Sequence, residues 1–514
     1  MSANNNLGII IFNFPKLVRN PIIIIYSFVI RVLSENRKLL IKNTFINTFG
    51  FGIQVVLNIL ITGLLFRYLT IVEFASFALL NIFANQGLLS LFDFSIPTTI
   101  LRVLSKKSAK NYKFKSHVIY NSVLFSIAVG VISSCLLVSL GDVISGLVDN
   151  SDPNFRLILL ICCFLNILYL PSYIGLSILE SEKQFLLISA FKVVLDISKS
   201  CLILYGFFND FGYIFYCIVL VGSFALLALF YVYHLVFYLR NSKNSTYKSQ
   251  LLVKLLFVSW PIYRGRFWSI LFNNSDRVAA SIIGGATLLA YSEIFTKLSF
   301  FLNRFLGIAS SAVIPYAASI KKESRSDIYG IYLNILIPYS IFIISTAIFL
   351  LINTGIVIEI YSGSTNELVV LNARLMLLWS LIFPLYFGGN ILIGLNTFNA
   401  ELSNNRFLQS IYKLVSLVIL SFFVADYAIS LSYICSLLSL ISLLKLYKLV
   451  FLDRILAVLR LYLKIAAVTA SFSILIFYFI APINLIDLVF AYFLQIMIGI
   501  IFYQIINRRP SIYG

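Results

Sequence analysis

Apolar residues along most of this 514-residue chain run for about twenty positions at a time, with short polar breaks between the runs. Runs such as residues 331–351 show none of the two-residue alternation that a barrel strand requires. A helix of that length crosses a hydrocarbon layer of roughly 30 Å with its backbone groups bonded within itself. The pattern predicts about fourteen spans, at residues 44–66, 76–101, 117–140, 155–179, 185–208, 212–238, 252–273, 279–318, 329–353, 368–395, 404–424, 428–447, 463–481 and 486–506. The eighth is too long for one straight crossing and is read with an outer loop and an inner helical extension. Residues 21–33 form a shorter apolar stretch between Lys16, Arg19, Arg31, Arg37 and Lys38. This stretch is read as a helix lying in the interface, with an uncleaved signal as the alternative.

Composition agrees: 60% of residues are hydrophobic and 11% charged, more apolar surface than a soluble core of this length hides. The expected fold class is an all-α polytopic membrane protein. Cys135, Cys162, Cys163, Cys201, Cys217 and Cys435 all fall in predicted spans without metal-ligand spacing, so buried free thiols are expected, and neither a metal nor another cofactor.

The net charge of +19 has no soluble basic domain to carry it, which argues against a nucleic-acid partner. Segments on the side of the N-terminus hold 28 of the Lys and Arg residues, and the opposite loops hold four, Arg67, Arg156, Arg277 and Arg374, with ten acids. The positive-inside rule then places both termini in the cytoplasm, as an even number of spans requires, in a bacterial inner membrane.

Three landmarks recur in the same order at offsets of about 215 to 221 residues, which is six spans. Ser95-Ile96-Pro97 with Lys106-Lys107 matches Val313-Ile314-Pro315 with Lys321-Lys322; Ile174-Gly175-Leu176 matches Ile393-Gly394-Leu395; Phe191-Lys192-Val193-Val194 matches Tyr412-Lys413-Leu414-Val415. Six is even, so the copies share one orientation, and two six-helix lobes related by a pseudo-two-fold along the membrane normal are expected to face a central cavity. The implied organisation is an N-terminal segment 1–43, an N-lobe 44–239, a linker 240–251, a C-lobe 252–447, and two further helices with a tail in 448–514.

Residues 43–107 contain Arg67-Tyr68-Leu69, Glu73-Phe74-Ala75-Ser76-Phe77 and Leu91-Phe92-Asp93-Phe94-Ser95. With these motifs and its six-plus-six-plus-two helices, the chain resembles the polysaccharide and O-antigen flippases of the multidrug/oligosaccharidyl-lipid/polysaccharide exporter superfamily. Phe74 and Phe94 stand where that family often has small residues. The resemblance implies alternating access between two lobes. It also implies an oligosaccharide substrate on undecaprenyl diphosphate, moved from the cytoplasmic to the periplasmic leaflet, with a polysaccharide polymerase and a chain-length regulator as candidate partners.

Seven cations remain inside predicted spans, Lys192, Lys199, Arg264, Arg266, Lys297, Arg304 and Lys413, against three acids, Asp93, Asp196 and Glu293. A charge at mid-bilayer costs on the order of 2.5 to 3.5 kcal/mol on insertion scales, so the set needs partners or a wet cavity. Lys192, Asp196 and Lys199 share one helix face, as do Glu293, Lys297 and Arg304, and Lys413 is the repeat mate of Lys192. Arg264 and Arg266 lie about 200° apart on their helix, and Arg264, three residues after Pro261, is preferred for the cavity. Each ion read singly is also explained by snorkelling or by a tie between helices. The set is not, because seven cations outnumber three anions, and a diphosphate suits the surplus. Lys192, Lys199, Arg264, Lys297, Arg304 and Lys413 are therefore the expected substrate-binding cations. Asp93, Asp196 and Glu293 are candidates for ion coupling, Asp93 being equally explained by an interhelical hydrogen bond.

The 47 Phe, 30 Tyr and 3 Trp are mostly core and interfacial belt, with some available to stack on sugars. Three other readings stay open: a multidrug or cation exporter, whose cavity should be acidic or apolar, a peptidoglycan-precursor flippase, and a membrane polysaccharide polymerase. The last needs a sizeable outer catalytic loop, and the longest, about residues 353–367, is short; His117 and His234 fall near predicted helix ends, and no nucleophile, metal or nucleotide motif is present. An enzyme is not expected.

Overall fold

The computed structural model describes residues 57–84, 88–105, 112–147, 152–241, 249–319, 325–363, 365–386, 399–451 and 455–480, with Gln54 and isolated positions between 487 and 497. The interfacial helix at 21–33, most of the fourteenth span and the landmarks Lys106-Lys107, Lys321-Lys322 and Ile393-Gly394-Leu395 lie outside these residues. Among the described residues every regular element is helical.

We number the main helices α1 (Leu57–Tyr68), α2 (Ile71–Ala84), α3 (Ile96–Ser105), α4 (Tyr112–Ser139), α5 (Pro153–Phe164), α6 (Asn166–Ser181), α7 (Phe185–Phe208) and α8 (Tyr213–Asn241). The C-terminal half continues with α9 (Ser249–Ser319), α10 (Arg325–Ile352), α11 (Thr354–Ser362), α12 (Glu367–Ser380), α13 (Asn399–Phe423), α14 (Ala428–Cys435), α15 (Leu440–Phe451) and α16 (Ile455–Ile480). By length and composition, six stretches among the described residues can cross a membrane, or eight when the bent pairs α5–α6 and α10–α11 each count once.

Local sequence explains several boundaries. Thr70 and Glu73 form a reciprocal cap at the start of α2: the Thr70 N–H donates to Glu73 Oε2 at 2.9 Å and the Glu73 N–H to Thr70 Oγ1 at 3.4 Å. Asp152 caps α5 by accepting the Asn154 N–H at 2.9 Å, with Pro153 in the first turn, where it removes only an orphan donor. Gly175 of α6 lies against the Tyr231 carbonyl of α8, where a Cβ would sit 2.1 Å from that oxygen, so the two helices meet only because the residue is glycine.

The chain departs from the expectation in three places. The second span is broken: after α2 a 3-10 turn, Leu88–Asp93, leads to Phe94 and Ser95 at φ of 48° and 54°, and α3 begins after them. The Asp93 carboxylate accepts the Ser95 N–H at 2.8 Å and so helps to hold the break. The turn between the seventh and eighth spans is displaced. Helix α9 runs through residues 274–278 and breaks at Gly284 and Gly285, the latter at φ 59° and ψ −149°, which glycine alone adopts readily. Asp276 and Arg277, expected in an outer loop, are therefore helical and enclosed. The expected loop at 353–367 contains α11, bent by 78° from α10.

Chain turns that the charge pattern placed on one side meet at one end of the bundle. Tyr68 donates to Asp210 at 3.2 Å, Tyr213 to Asp152 at 2.6 Å, Arg156 pairs with Asp142 at 2.6 Å, and Asn372 donates to the Asp426 carbonyl at 3.0 Å. The surface between the ends is apolar: Phe208, Phe257, Phe422 and Phe423 all point outward, as lipid solvation requires. All six cysteines are free; Cys162, Cys163 and Cys217 are buried as expected, whereas Cys135 and Cys201 face outward.

Candidate functional site

Helix α1 stands between the two halves of the chain and offers them a polar face one turn long, Asn58 and Thr62. From α7, Lys199 Nζ donates to Asn58 Oδ1 at 3.2 Å while bonded to Asp196 Oδ1 at 2.8 Å. From the second arm of α9, Lys297 Nζ donates to Thr62 Oγ1 at 2.5 Å and lies 3.7 Å from Glu293 Oε2. Glu293 also takes the Arg277 guanidinium at 2.5 Å. Residues four apart on a helix are separated by about 6 Å of rise, so one ammonium from each half approaches the same small patch of α1.

A second cluster forms where the first arm of α9 meets the broken second span and α13. Arg266 pairs with Asp93 at 2.8 Å, and Asp93 is 1% exposed. Tyr263 donates to the Leu91 carbonyl at 2.9 Å and stacks on Phe94 with ring centroids 4.9 Å apart. Arg264, on the other side of the helix, donates to Ser403 Oγ at 3.2 Å and to Asn404 Oδ1. Arg406 of α13 packs its stem against Gly265, and its charge opposes that of Arg266. Among the described residues no carboxylate pairs with Arg406. Of these three guanidinium groups, Arg266 alone is paired with a carboxylate among the described residues.

Lys413 lies elsewhere. Its side chain is fully enclosed, 3.9 Å from the equally enclosed Asp276, bonded to the Phe272 carbonyl, and over the rings of Phe272 at 4.6 Å and Tyr433 at 3.8 Å. Tyr433 donates to Asp276 at 3.1 Å. All these partners belong to the C-terminal half, so Lys413 does not approach the other half as the repeat suggests. Its sequence mate Lys192 is likewise held near home, interacting electrostatically with Glu180 and Asp196.

The structure therefore gathers Lys199 with Lys297, and Arg266 with Arg406, while Arg264 turns to Ser403 and Asn404 and Lys192 and Lys413 stay within their own halves. Arg304 lies in α9, and its side chain is outside the described residues. Each candidate acid is in an ion pair: Asp93 with Arg266, Asp196 with Lys199, Glu293 with Arg277 and Lys297. Arg406 and Arg277 escaped sequence reasoning because both were counted among the charges outside the membrane. The Gly284-Gly285 pair is the signal that relocates Arg277. Among the described residues no three His, Cys, Asp or Glu side chains gather as a metal site.

No family model matches the sequence, and no curated protein matches it. Solved structures do. The chain is similar to the lipid II flippase MurJ in its inward closed conformation, at 14% identity and a TM-score of 0.64, over 90% of this chain and 99% of that one. It is similar to a mutant MATE at 12% identity and a TM-score of 0.60, over 84% and 96%. The outward-facing conformation of a multidrug resistance MATE family transporter of the MOP superfamily matches at 14% identity and a TM-score of 0.59, again over 84% and 96%. Identities this low speak for the fold, and the protein has the all-α membrane fold that these transporters share.

Proposed function

We propose that the protein is a flippase that carries an oligosaccharide on undecaprenyl diphosphate from the cytoplasmic to the periplasmic leaflet. It works by alternating access between two six-helix lobes, 44–239 and 252–447, with both termini in the cytoplasm. The observation that carries this reading is the neighbouring pair Arg266 and Arg406, for which the described residues supply one carboxylate, Asp93 on Arg266, with Arg264 on the opposite side of the same helix. Like charges held together with fewer counter-ions than cations in a low-dielectric setting call for a mobile anion, and a diphosphate accepts the forked donors of arginine. Lys199 and Lys297 offer the anion a second station on α1. Arg304 extends the stripe that carries Lys297. Lys192 and Lys413 contribute to the field around the path.

Asp93, Asp196 and Glu293 link the cycle to an ion gradient by exchanging partners as the anion passes, since each is already paired with a cation that the anion would claim. A polymerase and a chain-length regulator would receive the delivered units.

Deleting the gene in its host tests the reading: lipid-linked repeat units should accumulate on the cytoplasmic face and the surface glycan should disappear. Normal glycan display in a host without a redundant exporter refutes it. A peptidoglycan-precursor flippase is the second reading, favoured by the near-complete coverage of the MurJ structure. It predicts instead that the deletion stops cell-wall synthesis and spares the glycan. A drug-cation exporter fits poorly, because the cluster repels cations.

A further inference from the structure

Helix α11 lies across the end of the bundle where the acidic turns meet, and its last turn presents carbonyls with no partner inside the helix. Arg67, at the end of α1, donates to one of them, Ile360 O, and to Glu359 O at 3.3 Å, which the capping residue also reaches. A cation there also meets the negative end of the helix dipole. Gly363 terminates α11 at φ 79°, its N–H returning to Glu359 O at 2.8 Å, and its bare Cα lets the Arg67 side chain lie alongside, where a Cβ would stand 3.2 Å from Nε. One turn earlier, Gly63 touches the same helix so closely that a Cβ would lie 2.7 Å from the Tyr361 carbonyl. The adjacent residue, Thr62, accepts the bond from Lys297. α1 is thus fastened to the C-terminal half at three consecutive points.

We propose that these contacts form an outer latch, with Arg67 as its bolt and Gly63 as its seat, and that an anion drawing Lys297 away from Thr62 opens it. The inference rests on the flippase reading for the identity of the anion but not for the latch. Arg67 is exposed, so water replaces its bonds to the α11 carbonyls at small cost, and the bolt is reversible. Gly63 sets the distance at which it closes, because any side chain there holds α1 off Tyr361. Lys297 is the one of the three fastenings that also belongs to the cationic path, so it transmits the presence of the anion to α1.

Ile59, one turn behind Gly63 and partly buried, reports the state of the latch. In the full chain with Cys135 and Cys201 replaced by Ser, Ile59→Cys is exposed to a membrane-impermeant maleimide from the outer face. Labelling should rise roughly fivefold or more in Arg67→Ala and in Gly63→Leu, the change expected when a coupling of ordinary size is lost, and stay near the parent in Arg67→Lys. Equal labelling in the parent, Arg67→Ala and Gly63→Leu overturns the latch. In proteoliposomes, undecaprenyl diphosphate in the bilayer should raise labelling of the parent and leave Lys297→Met unchanged. No response of the parent overturns the role of Lys297. The labelling without lipid is independent of whether the gene deletion affects a glycan, so failure of the latch and failure of the flippase reading are separately visible.

Discussion

Arg266 reaches Asp93 at 2.8 Å from a helix of the other half of the chain, and Arg406 of α13 opposes the Arg266 guanidinium with a charge of the same sign. The pair ties the halves together, yet it leaves the site with more positive charge than the fold neutralises. A tie of this kind opens when a competing anion offers the guanidinium a better partner, as the proposed transport cycle requires.

Asp93 is buried and Arg266 partly so, and the pair should behave accordingly in stability measurements. Arg266→Ala strands an enclosed carboxylate and should cost about 3 to 5 kcal/mol. Adding Asp93→Asn to the same chain should recover most of that loss, because the amide still accepts the Ser95 N–H and carries no charge. Thermal unfolding of the purified variants in detergent measures both; a double variant as unstable as the single one would show that the pair does not act through charge.

Lys413 and Asp276 make a sharper contrast between structure and transport. Both are fully enclosed, so Lys413→Met should lower stability by about 3 to 5 kcal/mol, and Lys413→Met with Asp276→Leu should come back close to the parent. Transport per folded molecule should follow the same recovery. If the double variant folds normally but does not transport, Lys413 acts on the substrate path and not as an internal tie.

The helices were legible in the sequence because a membrane span is a length of apolar residues, and α7 occupies the expected 185–208. The partners of the charges were not. Asn274, Ser275, Asp276 and Arg277 read as a loop because four polar residues in a row follow the end of an apolar run, but Asp276 finds Tyr433 and Lys413, and Arg277 finds Glu293. Those partners lie up to 157 residues away in sequence, beyond any local pattern. Arg406 was misplaced for the opposite reason: its position near a helix start fits the positive-inside rule, and only the close approach of Gly265 on a distant helix brings it to Arg266. The three-residue spacings that define a helix face were informative for Asp196 and Lys199, whose bond lies within one helix.

Asp152 offers a test at the acidic end, outside the spans. The hydroxyl of Tyr213, and then the Asn154 N–H, hold its carboxyl below the ordinary carboxylate value. A depressed folded pKa stabilises the protein above the unfolded value of about 4, and that contribution is lost as pH falls through the folded one. Melting temperatures followed from neutral pH to about pH 3 should therefore decline less in Asp152→Asn than in the parent, since the amide keeps the cap without titrating. Parallel curves for the two proteins would rule out this role.

Arg406 is the residue whose removal best separates binding from folding. It has no carboxylate partner among the described residues and opposes Arg266, so Arg406→Gln relieves repulsion and should leave the melting temperature equal to the parent or above it. Under the proposed function, a charge-assisted contact from Arg406 to a diphosphate would be worth roughly 1.5 to 3 kcal/mol, so the same change should weaken transport by a factor of ten or more. Arg406→Lys should restore part of it, because an ammonium keeps the charge but loses the forked geometry. Flux of lipid-linked units across reconstituted vesicles, measured beside thermal unfolding, gives both numbers. Unchanged flux in Arg406→Gln would mean that the surplus charge serves topology alone, and the anion path would then have to run along Lys199 and Lys297 without the arginine cluster.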